Sequence, residues 1–130
     1  MSRISSKNTT PELTVRSLLH RLGYRFRIHQ KNLPGSPDIV FRKYSSIIFV
    51  HGCFWHQHRG CKFAYKPASH TAYWKPKLKR NIERDFENQT NLQELGWHVI
   101  IVWECELENL DVLAKRLVKE LPTGKRHVTI

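Results

Sequence analysis

Acidic side chains are scarce in this 130-residue chain: 11 Asp and Glu stand against 22 Lys and Arg, a net charge of +11. That imbalance points to a polyanionic partner, most often nucleic acid. Long apolar runs are missing too. None approaches the roughly 20 residues that span a bilayer. The opening stretch MSRISSKNTTPE has no apolar region of the kind a secretory signal needs. The basic residues are spread along the chain rather than gathered on one amphipathic helix, which argues against membrane-surface binding. The expected compartment is the cytoplasm, where thiols stay reduced. Cysteines number only three, an odd count that argues against a disulfide framework and towards metal or burial. Repeats, low-complexity tracts and linkers are absent. The length suits one domain over 1–130, with 1–8 as a flexible arm and 123–130 as a loose tail.

What is present supports a folded core, since 40% of the residues are hydrophobic. A helix is expected from about 11 to 22, capped by Thr10, with Pro11 in its first position and Glu12 at the positive end of its dipole. Val15, Leu18, Leu19 and Leu22 give it one apolar face. YRFRI (24–28) alternates like a strand with Tyr24, Phe26 and Ile28 on one side. DIVF (38–41) and SIIFV (46–50) read as short strands joined by a tight turn. A long helix is expected over about 71–95, with Trp74, Leu78, Ile82, Phe86, Leu92 and Leu95 near helical spacing. WHVIIVW (97–103) is too apolar for an edge strand and is expected inside the sheet. A last helix is expected over about 107–121. The order α-β-β-β-α-β-α describes an α/β sandwich around a mixed sheet, and the strands flanking the long helix should be parallel.

The stretch HGCFWHQHRGC (51–61) packs three histidines, two cysteines and two adjacent aromatics into eleven residues. Cys53, His58 and Cys61 have the spacing C-x4-H-x2-C, and thiolate and imidazole are the usual ligands of structural zinc. Cys105, just past the apolar strand, can close the tetrahedron. His56 is the competing histidine, in C-x2-H spacing. Asp38 opens a strand after a Gly/Pro loop, a position suited to a hard cation such as Mg2+; an Asx-turn is the plainer reading. His51 ends the neighbouring strand, so a hairpin would set it beside Asp38. Asp85, in the middle of the long helix, is either a solvated charge or the orienting partner of a histidine. Phe54 and Trp55 sit between Cys53 and His56. They are either core packing or stiff rings on a cationic surface, able to wedge between base pairs.

The runs LPGSPDIVF, IIFVHGCFWHQHRGC, NIERD and LQELGWHVIIVWEC, with SKNTTPE near the start, closely resemble the very-short-patch repair (Vsr) family of DNA mismatch endonucleases over about residues 2–107. The resemblance implies a restriction-endonuclease-like fold and an enzyme that nicks double-stranded DNA beside a T:G mismatch, using Mg2+. It implies a catalytic role for His51 and His56, with Asp85 as a histidine partner. Glu12 matches an acid of the family's first helix and takes a supporting place near the metal water. It also implies that Phe54 and Trp55 intercalate. Many nucleases of that fold carry P-D and then (D/E)-x-K on the next strand. Here Pro37-Asp38 supplies the first part, but the second slot reads Phe49-Val50-His51. With one carboxylate there, the ion must recruit another oxygen, and the carbonyl of Val50 is nearest. The expected cofactors are catalytic Mg2+ and structural Zn2+. The expected setting is a monomer in the bacterial cytoplasm, at the nucleoid when on DNA, with mismatch-repair proteins as candidate partners. The chain opens inside the family's first region, so only part of a DNA-clasping N-terminal arm is expected. The gap from His58 to Cys61 is one residue longer than in the best-known member.

Overall fold

Thr9, not Thr10, starts the first helix. In this computed structural model, which describes residues 9–54, 56–61 and 69–121, α1 spans Thr10–Arg21. The Thr9 hydroxyl accepts from the Glu12 N–H at 3.4 Å while Glu12 Oε1 accepts from the Thr9 N–H at 3.3 Å. This reciprocal box satisfies two of the donors that every helix start leaves open. Pro11 then falls in the first turn, where no N–H is needed. One consequence matters for the site: the cap carries the Glu12 carboxyl into the interior, 4% exposed.

Four strands follow, β1 Arg27–Ile28, β2 Ile39–Phe41, β3 Ser46–His51 and β4 His98–Trp103. They lie in the order β1-β2-β3-β4, the first two pairings antiparallel and β3 with β4 parallel. The parallel step needs a crossover, and α2, Thr71–Glu94, provides it. A 3-10 turn over Glu104–Glu108 leads into α3, Leu110–Glu120. The last helix therefore begins three residues later than its apolar spacing suggested.

Successive strand residues face opposite sides, and each side has its own core. Ile39, Phe41, Ile48, Ile100 and Val102 pack with Val15, Leu18 and Leu19 of α1 and Leu113 and Leu117 of α3. Val40, Ile47 and Phe49 pack with Leu92 of α2, against Trp97, Val99 and Ile101. The Tyr24 hydroxyl donates to the Leu121 carbonyl at 2.8 Å, tying the end of α3 to the first core.

Three further sequence expectations need correction. The strand read over 24–28 is paired only at 27–28, and Ile28 is 37% exposed rather than sharing the buried side of Tyr24. In α2 only Leu78 and Leu92 are buried, while Ile82, Phe86 and Leu95 are exposed. Only the end of that helix lies on the sheet; its middle faces the His56 loop, where a polar side chain, Asp85, makes the contact. Finally, β4 is an edge strand among the described residues, not an interior one. Its apolar residues are accounted for by helices on both of its faces. Its outer edge is met by Arg116, whose Nη2 donates to the Ile101 carbonyl at 2.7 Å while Nη1 and Nε hold Glu106 and Glu120. The expected arm at 1–8 and the expected tail at 123–130 lie outside the described residues. No helix among the described residues is long and apolar enough to cross a membrane.

Candidate active site

The sheet delivers its polar residues to one end. Asp38 precedes β2, His51 closes β3, and the parallel register sets His51 opposite Trp103 at the close of β4. The antiparallel register of β2 with β3 ends at Ile39 and Ile48. Beyond it, the Val50 N–H donates to Asp38 Oδ2 at 2.7 Å instead of to a backbone carbonyl. In a strand the N–H and C=O of one residue point to the same side. The Val50 carbonyl therefore faces the side on which Asp38 lies.

Asp38 has a second acidic neighbour, since the Glu12 side chain lies within hydrogen-bonding range. Burial, reinforced by Glu12, pushes the Asp38 carboxyl up to about 8, against the Val50 N–H, which lowers it. Two carboxyls this close cannot readily both ionise without a cation. The pairing could hold a divalent ion through Asp38 and the Val50 carbonyl, with Glu12 beside them. A stability consequence follows. The folded carboxyl keeps a proton that an unfolded aspartate, near 3.8, has lost, so stability falls as pH rises from about 4 towards 8. Asp38→Asn, whose amide oxygen still accepts from Val50, is expected to flatten that slope. The variant is therefore expected to be more stable than wild type at pH 8, and the difference should shrink as the pH falls towards 4. Thermal melts in chelator across pH 5–9 read this directly. A variant no more stable than wild type at pH 8 would show that the carboxyl is not strained by its neighbours.

The two histidines of the loop divide between two clusters. His56 Nδ1 meets Asp85 Oδ2 at 2.5 Å, and its ring stacks on His51 with centroids 3.7 Å apart. Burial, then the adjacent His56, holds the His51 imidazole down at about 4, with Asp85 pulling the other way. His51 is therefore neutral near pH 7. Its Nδ1 is buried with no hydrogen-bond partner among the described residues. Such an atom is costly unless something met during function satisfies it.

His58 turns the other way. Its Nδ1 lies 3.7 Å from Cys53 Sγ and 3.5 Å from Cys105 Sγ, and Cys61 joins them in a cluster whose donor atoms all fall within 4.8 Å of one another. Ligands at zinc bond lengths in a tetrahedron have N···S separations of about 3.6 Å, which the spacing of His58 from Cys53 and Cys105 matches. Burial and the neighbouring thiols push Cys53 up to about 12, and burial likewise raises Cys105. Thiols that resist ionisation together are those a cation would stabilise as thiolates.

The loop itself is built from turns. His56 N–H reaches the Gly52 carbonyl, His58 N–H the Cys53 carbonyl, and Cys61 N–H the His58 carbonyl. Gln57, at φ 46°, directs both its backbone N–H and its Nε2 to the Phe54 carbonyl. Phe54 sits half-buried, edge-on to Trp74 at 5.5 Å. Trp55 lies outside the described residues.

Sequence reasoning missed three residues. Trp103 stacks on His58 at 4.1 Å and meets His51 edge-on at 5.2 Å, forming the wall between the two clusters. The signal was available: parallel pairing of the two apolar strands puts it opposite His51. Arg16 and His29 adjoin Glu12. Arg16 is four residues from Glu12 on α1, a spacing that could have flagged it, but nothing local marks His29.

Residues 1–62 match the family described as DNA mismatch endonuclease Vsr. Over 120 residues the chain is 42% identical to the DNA mismatch endonuclease Vsr of Escherichia coli K12, covering 92% of this chain and 76% of that protein. The chain belongs to the Vsr family of DNA endonucleases. Within it, the type II nicking enzyme V.XorIIP of Xanthomonas oryzae pv. oryzae is 52% identical over 117 residues, 90% of this chain and 85% of that protein. The type II nicking enzyme V.NmeAIP of Neisseria meningitidis is 45% identical over 117 residues, 90% of this chain and 83% of its own length.

Proposed function

We propose that this Vsr-family endonuclease nicks one strand of double-stranded DNA next to a T:G mismatch, by Mg2+-dependent hydrolysis of a phosphodiester. The observation that supports the hydrolytic reading is the His56–Asp85 pair stacked against His51, which directly follows Val50, the residue whose N–H is held by Asp38. Asp85 occupies Nδ1 of His56, so the proton from the attacking water goes to Nε2. Asp85 fixes the tautomer and favours the imidazolium that results. His51, stacked beneath and neutral, offers Nδ1 to the attacking water or the phosphate. A divalent ion held by Asp38 and the Val50 carbonyl would polarise the phosphate and stabilise the leaving oxygen. Glu12 supports that ion's water. The reading further places Zn2+ in the Cys53–His58–Cys61–Cys105 cluster as a structural ion, on a restriction-endonuclease-like three-layer sandwich. Helices on both faces of the sheet support that layering. It treats the chain as one domain, a monomer working in the bacterial cytoplasm, with mismatch-repair proteins as candidate partners.

Mismatch selection is assigned to Phe54 and Trp55. Unstacking a step costs a few kcal/mol, and least at a mismatched base. A rigid wedge therefore favours a T:G site, and His56 follows it directly in sequence. The turn bonds on the Phe54 carbonyl provide that rigidity. Nicking assays on duplexes carrying every single mismatch, with and without Mg2+, test the assignment. Wild type is expected to cut T:G far faster than matched DNA, and only with the ion. Equal cutting of matched DNA would leave a nickase without mismatch selection. In the same panel, Trp55→Ala is expected to fold, to keep metal and to bind non-specific DNA through its basic surface. It should lose most T:G nicking and most of the signal from a fluorescent base analogue beside the mismatch. An unchanged signal and rate would make Trp55 a packing residue.

A further inference from the structure

The Glu12 carboxyl has company that the proposed reaction does not use. Its Oε1 is approached by the Arg16 guanidinium at 3.5 Å and by His29 Nε2 at 3.8 Å, besides the Thr9 N–H. Arg16 Nη2 also lies 3.2 Å from His29 Nε2. Arginine can only donate, so that nitrogen of His29 is the acceptor. His29 reaches the other acidic residue through its backbone, its N–H pointing to the Asp38 carbonyl at 3.4 Å. It does so at φ 51°, a left-handed conformation that glycine adopts freely and histidine does not. One strained residue thus reaches the Asp38 segment through its backbone and, through its ring, the guanidinium that approaches Glu12. Arg16 is mostly buried, its side chain 13% exposed, and its charge is felt by Asp38 as well as by Glu12.

Resting on the reading of Asp38 and Glu12 as a divalent-ion site, we propose that Arg16 is the resident counter-ion of this carboxylate pair: it stabilises the pair before the ion arrives and competes with the ion for it, with His29 as its seat. Two opposing effects follow from one charge. Without a divalent ion, a buried guanidinium beside two carboxyls lowers their mutual repulsion. With the ion in place, the same guanidinium is a like charge at close range and disfavours it. Arg16 is therefore a positioning residue that weakens ion binding while it steadies the empty pair.

The test uses the full chain without DNA, titrated with Mn2+ in a calorimeter, beside thermal melts in chelator. Arg16→Met keeps most of the stem and removes the charge; Arg16→Lys keeps the charge. Arg16→Met is expected to bind Mn2+ about three- to tenfold more tightly than wild type, the scale of one screened charge near a divalent ion, and to melt lower in chelator. Arg16→Lys should bind within about twofold of wild type. His29→Gly relieves the backbone and releases the seat, so it should move affinity in the direction of Arg16→Met without lowering the melting temperature. A merely structural arginine would lower the melting temperature and leave affinity unchanged or weaker, and that result overturns the inference. Asp38→Ala separates the two levels. If it binds Mn2+ as wild type does, or if wild type binds none, the divalent-ion site itself is wrong and the inference falls with it. If Asp38→Ala loses binding and Arg16→Met matches wild type, only the role of Arg16 falls.

Discussion

Asp38→Ala is expected to abolish Mg2+-dependent nicking while leaving folding and non-specific DNA affinity nearly intact. The carboxylate lies at the entry to β2 rather than in the core, and both apolar clusters persist without it. What goes is the oxygen proposed to fix the ion and the acceptor for the Val50 N–H. His56→Ala should be severe but not absolute, losing about two to four orders of magnitude, the usual contribution of a general base. Asp85→Asn should follow in the same direction with a smaller loss, because the imidazole remains but its tautomer is no longer enforced. Single-turnover nicking of a T:G duplex, with binding measured separately, distinguishes these variants. Near wild-type nicking by Asp38→Ala in Mg2+ would show that the ion is anchored elsewhere.

The second large effect concerns the thiol cluster. Purified protein is expected to hold one zinc per chain, and Cys105→Ala to release it. The cluster ties the 52–61 loop to the 3-10 turn after β4, two segments with little apolar burial of their own. Ion binding by such a set is coupled to folding. Loss of one thiolate should therefore cost several kcal/mol and loosen the loop that carries His56, and chelation should do the same to wild type. Elemental analysis, melts with and without chelator, and limited proteolysis near residue 60 read the three consequences. Active protein containing no zinc would end the assignment.

The element order was legible because each apolar period is long enough to declare itself: Val15 to Leu22 for α1, Ile47 to Val50 for β3, Val99 to Val102 for β4. The parallel pairing followed from the helix between the last two. Misreadings arose where a tertiary neighbour decided the outcome. Phe86 and Ile82 have helical spacing, yet α2 passes the loop there rather than the sheet, so the pattern pointed to a core that is not present. The run 97–103 looked interior because apolar content reports covered faces and says nothing about which edge is paired. At the site, residue chemistry was readable in HGCFWHQHRGC, but the sorting of its histidines was not. Two residues apart on an irregular loop, His56 and His58 can face either way, and only the succession of turns sends one to Asp85 and the other to the cysteines. His29 could not be foreseen, since its place depends on a β1–β2 pairing only two residues long.

An exposed, apolar last strand is a template on which another chain can add itself, the first step of edge-to-edge aggregation. In this molecule the rim of β4 carries Arg116, pinned by Glu106 and Glu120 and spending one donor on the Ile101 carbonyl. A second strand would have to displace a charge held by two acids before it could pair there. The Trp103 N–H is occupied in turn by Glu106, at 2.8 Å. The side-chain cage thus acts as a terminator: it lets the sheet, among the described residues, keep an apolar strand outermost without offering that edge to a copy of itself.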